Sequence, residues 1–264
     1  MTRRRLFIAV LLVSILAGGL YLARAELGLM AARQFAPHRL AEDVTRQLPD
    51  GLHVGLCGTG SPFPDEHRAG PCTWVFAGGR LLVIDAGSGA SRVIGRMGVN
   101  QGRIDAILLT HFHSDHFDGL GELLLQRWVS SARTEPVPVH GPEGVQRVVA
   151  GLREAYSADS AYRVAHHGAQ AVPPGGFGAS ARPFTLDAQG RATVIREGDL
   201  EVIAFKVDHA PAEPAVGYRI RYKDRVVVLS GDTKPSQAVA REARQADLLI
   251  HEALSPVLVG VLGD

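Results

Sequence analysis

A single α/β domain is the fold that this 264-residue sequence predicts, and three features carry the expectation. Short runs of leucine and β-branched residues recur along the chain, a pattern expected of buried strands. Stretches of helical length lie between several of these runs, so strands and helices interleave as they do in α/β architectures. Hydrophobic residues make up 46% of the chain, enough for a substantial core. The first residues are of a different kind and precede this domain.

Thr2-Arg3-Arg4-Arg5 leads into an uncharged apolar run over residues 6–23. Eighteen such residues reach membrane-spanning length, and they exceed the usual apolar core of a signal peptide. The arginines favour a cytoplasmic N-terminus, which sends the rest of the chain outward. Ala23-Arg24-Ala25 also has the small-x-small form of a cleavage site, so residues 1–25 form either a signal anchor or a cleaved signal peptide. Both readings place the domain outside the cytoplasm, periplasmic in a Gram-negative cell or secreted if cleavage occurs. Residues 26–50 read as a polar, helix-prone linker ending at Pro49-Asp50-Gly51, and residues 51–264 as the domain.

Within the domain, strands are expected at 52–57, 72–77 and 80–85, then a helix near 89–97. The run Ile104-Asp105-Ala106-Ile107-Leu108-Leu109 reads as a buried strand, and a helix follows from about Asp118 to Trp128. A short strand at 136–140 precedes a helix near 142–156, opened by Pro142 at a position where helices accept proline. Residues 168–183, rich in Gly, Pro and Ala, interrupt the pattern. Strands resume at 192–196, 200–207, 215–221 and 225–230, with a helix near 235–244 and a strand at 247–251. The 30 glycines suit many tight turns.

The chemistry concentrates in His111-Phe112-His113-Ser114-Asp115-His116, directly after the strand ending near Thr110. Neutral imidazoles and carboxylates suit Zn²⁺, and a catalytic zinc needs several protein ligands plus an open position. Asp85, His209 and Asp232 also fall where strands end, so rigid elements would deliver all of them to one edge. Asp232 has a second reading, as cap of the helix near Pro235. His251, at the end of the last strand, suits a supporting role better than ligation. His67, His166 and His167 have no ligand-like setting, and His140, in a strand-to-helix turn, suits a structural role.

Several segments together resemble the metallo-β-lactamase superfamily, in the branch that contains ribonuclease Z and the related arylsulfatases. The His-x-His-x-Asp-His hexad is its hallmark, and Gly58-Thr59-Gly60-Ser61-Pro62, Val83-Ile84-Asp85-Ala86-Gly87, Val207-Asp208-His209 and Gly231-Asp232-Thr233 match further motifs in order. The resemblance covers about residues 51–255. It implies an αββα sandwich and a two-metal site. His111, His113 and His209 would hold one metal, Asp115 and His116 the second, with Asp232 bridging and Asp85 behind them. It also implies Asp115 as a proton acceptor, Zn²⁺ as the ion with Mn²⁺ or Fe²⁺ as alternatives, and no organic cofactor.

Substrate and partners follow from charge and context. Net charge is +1, with 28 basic and 27 acidic residues. That balance lacks the basic excess of nucleic-acid binders, so nucleic acid is not expected as a partner. The expected reaction is hydrolysis of a small ester: a sulfate ester, phosphodiester or lactone. The rivals are transfer-RNA 3′ processing of the ribonuclease Z kind and a non-catalytic membrane-tethered protein with a degenerate site. Branch members carry a further His after one more helix and strand, which needs about 17 more residues. The sequence stops at Gly263-Asp264, so the second metal is expected to be held less firmly than the first. Cys57 and Cys72, outside the metal motif, form either a disulfide, as an oxidising compartment would favour, or two buried thiols.

Overall fold

The computed structural model describes residues 3–41, 43–63, 65–255 and 260. The chain divides into a first unit containing α1 (Arg3–Ala41) and a compact unit from Val44 onward. In α1, Val10–Met30 is a stretch of 21 residues with mean hydropathy 1.7, none of it buried. The helix continues past residue 26 through most of the expected linker, where Leu, Met, Ala and Arg favour helix.

The compact unit is built on two sheets. The first has six strands in the order of the chain: β1 (Leu52–Gly58), β2 (Cys72–Ala77), β3 (Arg80–Ile84), β4 (Ile104–Leu108), β5 (Val137–Pro142) and β6 (Ala179–Phe184). Its first three strands are antiparallel, and β3 through β6 run parallel. The second sheet comprises β7 (Arg191–Glu197), β8 (Leu200–Lys206), β9 (Val216–Tyr222), β10 (Arg225–Leu229) and β11 (Leu248–Ile250), antiparallel except for the β10–β11 pair. The helices are α2 (Ala90–Arg96), α3 (Leu120–Val129), α4 (Val145–Ala155), α5 (Ser157–His167) and α6 (Gln237–Glu242).

Side-chain alternation along the strands sorts these elements into four layers. In β2 and β3, Val75, Ala77, Leu82 and Ile84 face Val202, Ala204, Val216, Tyr218 and Ile220 of the second sheet. Their neighbours Trp74, Phe76, Leu81 and Val83 face the other way, onto Ile94 of α2, Leu120 and Leu123 of α3, and Val145 and Val149 of α4. Val239 of α6 closes the outer face of the second sheet against Phe205, Val226 and Val228. The αββα sandwich is therefore present. Each fully buried aliphatic side chain contributes about 1.5–3 kcal/mol, so the layer between the sheets and the helix-covered outer face of the first sheet both contribute heavily to cohesion.

Three details depart from the expected elements. Pro142 ends β5, opposite Phe184, instead of opening a helix; α4 begins at Val145 behind Gly144. The Gly/Pro/Ala-rich stretch contributes β6, which tolerates Pro183 because it is the sheet's outer strand and needs no further amide partner there. α5, outside the expected helices, has no fully buried residue, although Ala158, Ala161, Tyr162 and Ala165 recur along it at helical spacing. Cys57 and Cys72 form a disulfide between β1 and β2, settling the two alternatives.

The sheets are joined where the site begins. Tyr218, fully buried in β9, donates its hydroxyl to the Leu109 carbonyl at 2.7 Å. The Val216 amide donates to the Thr110 carbonyl at 3.0 Å. Tyr218→Phe should strand the Leu109 carbonyl and lower stability by about 1–3 kcal/mol. Denaturant unfolding measures this, and an unchanged midpoint would refute the role assigned to the hydroxyl.

Candidate metal centre

Four strand ends converge on one edge of the sandwich. Asp85 follows β3, Thr110 and His111 follow β4, His209 follows β8 and Asp232 follows β10. Asp85 turns the chain with φ of 56°, a left-handed conformation that Asp tolerates better than most residues. Gly231 does likewise at 61°, and a Cβ there would lie 2.6 Å from the Val216 carbonyl oxygen. At Gly87 a Cβ would stand 2.2 Å from the carbonyl oxygen of Asp115. The metal loop therefore rests on bare backbone.

Asp85 is buried and organises that loop. Its Oδ1 accepts the Thr110 amide at 2.8 Å, and its Oδ2 accepts the Thr110 hydroxyl at 2.8 Å. The same Oδ2 is 2.8 Å from His116 Nδ1. With its proton given to Asp85, Thr110 Oγ1 is left to accept from His111 Nδ1 at 3.0 Å. Both rings thus carry their proton on Nδ1 and turn Nε2 toward the centre. Thr110 escaped the sequence reading; its position directly before the hexad was the available signal.

Ligand atoms of His111, His113, His209 and Asp232 all lie within 4.8 Å of one another. His113 Nδ1 is 3.1 Å from the Nε2 atoms of both His111 and His209. A tetrahedral zinc with Zn–N near 2.0–2.1 Å separates its nitrogens by about 3.3 Å, so the observed spacing fits one ion. Asp232 Oδ2 lies 4.0 Å from His111 Nε2 and 3.8 Å from His209 Nε2.

A second position adjoins the first. His116 Nε2 is buried without a hydrogen-bond partner. The nearest carboxylate oxygens are Asp232 Oδ1 at 3.4 Å and Asp115 Oδ2 at 3.8 Å. An unpaired buried nitrogen flanked by two carboxylates is a donor set that a divalent cation would satisfy. Asp232 has one oxygen toward each position, as a bridging group requires. His251 does not join the cluster; it is exposed, with Nδ1 2.7 Å from the Glu252 carbonyl oxygen. Residues 256–259 and 261–264, on which the expectation of a missing ligand turned, lie outside the described residues.

The electrostatics favour cation binding. Burial, reinforced by the His116 charge, lowers the His111 pKa to about 4 and keeps that imidazole neutral. Burial also works against charge on His116, but Asp85 and Asp232 outweigh it and raise its pKa to about 10. Burial would raise the Asp232 pKa, yet the positive charge of His116 close by, with smaller contributions from His111 and His209, lowers it. A cation at the second position would replace the His116 proton between the same carboxylates. His140 is away from this network: burial, then Arg182, lowers its pKa to about 4, consistent with a structural role.

These observations agree with the comparisons. Residues 66–259 match the Metallo-beta-lactamase superfamily, and the chain belongs to it. Ribonuclease Z of Mycolicibacterium gilvum (strain PYR-GCK) is 37% identical over 213 residues, covering 80% of this chain and 72% of that protein. Ribonuclease Z of Mycobacterium bovis (strain BCG / Pasteur 1173P2) is 35% identical over 210 residues, covering 79% and 72%. Human tRNase Z, short form, shares the fold with a TM-score of 0.63 at 23% identity, over 79% of this chain and 81% of that one. The chain is thus a metal-dependent hydrolase of this fold. Its nuclease relatives overturn the expectation that nucleic acid is not a partner. That expectation used net charge, a chain average that carries no information about local fields near a site.

Two substitutions test the centre. His113→Ala removes the nitrogen shared by both close contacts and should lose most bound metal, read by elemental analysis. Asp85→Asn keeps the size but weakens the hold on Thr110 and His116, so metal affinity should fall about 10–100-fold. Wild-type affinity in Asp85→Asn would sink the supporting role.

Proposed function

We propose that this chain hydrolyses phosphodiester bonds in RNA, with an active centre of the ribonuclease Z type. The match at 37% identity to a ribonuclease Z across 80% of the chain carries this reading. The donor set is suited to it, because paired divalent cations supply Lewis acidity and an activated water for displacement at phosphorus. His111, His113 and His209 are assigned to one zinc and His116 and Asp115 to the other, with Asp232 between them. Asp115 is assigned a second duty as proton acceptor, its carboxylate being partly buried at the open side of His116. Asp85 and Thr110 hold the rings in the required tautomer.

The test is a substrate panel: a 3′-extended transfer RNA, a chromogenic phosphodiester, an aryl sulfate and a lactone. The phosphodiesters should turn over at least about tenfold faster than the other two. Asp115→Asn should lower phosphodiester turnover about 10²–10⁴-fold, the range for a positioned proton acceptor. Preference for the sulfate or the lactone would overturn the reading, and near-zero zinc in the purified protein would favour a degenerate site.

We further propose that α1 anchors the domain at a membrane, facing outward. Its 21-residue apolar stretch behind Arg3, Arg4 and Arg5 supports the anchor, and the Cys57–Cys72 disulfide suits an oxidising compartment. A reporter active only outside the cytoplasm, fused after Asp264, should then be active. An inactive reporter refutes the orientation, and a mature N-terminus at Glu26 would replace the anchor with a cleaved signal.

A further inference from the structure

A cleft of about 330 Å³ opens beside the candidate metal ligands, lined by Phe112, His113, Pro211, Ala212, Glu213 and Pro214. His113 is among its lining residues, and its Nδ1 lies 3.1 Å from the Nε2 atoms of both His111 and His209, so an occupant adjoins the candidate metal ligands. One wall is the half-buried Phe112 ring. That ring is held close by Gly144, where φ is +113° and a Cβ would stand 3.0 Å from Phe112 Cε2. The opposite wall is the chain after His209, folded back by the Ala212 amide on the His209 carbonyl and the Glu213 amide on the Pro211 carbonyl, both at 2.9 Å. At the rim, the Glu213 carboxylate lies 4.0 Å from Lys206 Nζ.

We propose that this cleft seats the nucleobase next to the scissile phosphate and favours bases bearing an exocyclic amino group. The inference rests on the ribonuclease reading and specifies its substrate contact. Size is the first argument: the volume is at the low end for small-molecule sites, room for one ring system and not for a duplex. Only an unstacked base of a single-stranded segment can enter, the form in which RNA bases are usually read by side chains. Shape is the second. Phe112 presents an aromatic surface and Pro211 and Pro214 present flat apolar rings, and base–aromatic stacking tolerates any base. Polarity is the third. Glu213 is the carboxylate among the lining residues, and a carboxylate accepts hydrogen bonds from amino groups, as on cytosine N4. Uracil offers no such donor. Lys206, held toward Glu213, places a positive charge at the same rim, where a neighbouring phosphate would pass.

The test uses the zinc-loaded full chain in detergent micelles and calorimetric titration with cytidine monophosphate, uridine monophosphate and ribose 5-phosphate. The cytidine nucleotide should bind at least about tenfold more tightly than ribose 5-phosphate, the scale of one stacked base. It should also bind about three- to fivefold more tightly than the uridine nucleotide, a fraction of one good base contact. Phe112→Leu should erase most of the advantage over ribose 5-phosphate, and Glu213→Gln should erase the preference for cytidine. Phe112 lies between metal-site residues, so Ala212→Trp fills the cleft from the other wall and should also bring the cytidine nucleotide to the level of ribose 5-phosphate. Equal binding of all three probes by the wild type, or retention of the base advantage in Ala212→Trp, overturns the proposal. RNA turnover together with base-independent binding would refute the cleft alone. Base-dependent binding without RNA turnover would refute the ribonuclease reading and leave the cleft standing.

Discussion

The arrangement of the site depends on one buried carboxylate. Asp85 accepts the Thr110 amide, the Thr110 hydroxyl and His116 Nδ1, so three separate groups have their geometry set by two oxygens. Because Thr110 spends its proton on Asp85, its lone pair fixes the tautomer of His111 as well. One side chain therefore orients imidazoles assigned to two different metal positions. Such second-layer contacts raise ligand basicity and remove rotational freedom from the ligands. A neutral substitute of the same shape would keep the packing and lose the charge that stabilises His116.

That carboxylate can act so widely because the sandwich brings the chain to it from both sheets. The Val216 amide and the Tyr218 hydroxyl reach across from β9 to Thr110 and Leu109, the residues that introduce the hexad. Gly231 lets the backbone before Asp232 approach the Val216 carbonyl more closely than any side chain allows. Each contact is worth about 1 kcal/mol net, yet a broken one leaves a buried polar group unpaired at a greater penalty. The geometry of the ligands is thus enforced mainly by what its loss would cost. Among the described residues, His116 Nε2 remains the unpaired nitrogen of this network, and it faces the centre.

Much of this was legible in the sequence because it was written in local patterns. The hexad, Asp85, His209 and Asp232 sit at strand ends, and strand periodicity found nearly all of those strands. β6 was not legible: its Ala, Ser and Pro residues carry no strand signature, and it forms because the β5 edge offers a partner. α5 carries only a small-residue stripe, Ala158, Ala161, Tyr162 and Ala165, and buries no residue fully, so its helical spacing is a weak signal. Thr110 looked like one more strand residue, since its importance lies in a partner 25 positions earlier in the chain. The partner class is illegible for a different reason. A net charge of +1 sums residues that never share a surface, whereas a substrate meets only the few beside it.

The β1–β2 loop supplies a third support, and it accounts for the position of the disulfide. Cys57 and Cys72 close a segment with a sequence separation of 15, for which chain-entropy estimates give about 3 kcal/mol of stabilisation. The far end of that segment is pinned by the Gly70 amide on the Ser88 carbonyl at 2.9 Å and by the Gly87 amide on the Pro71 carbonyl at 3.0 Å. Gly70 and Gly87 together press on the Asp115 carbonyl, leaving no room for a side chain at either position. The metal loop is consequently held from three directions: by Asp85 within the first sheet, by β9 from the second, and by a cross-linked loop above. Asp115 lies where the last of these bears, so the residue assigned both to a metal and to a proton is fixed through its backbone, and its carboxylate is left free to act.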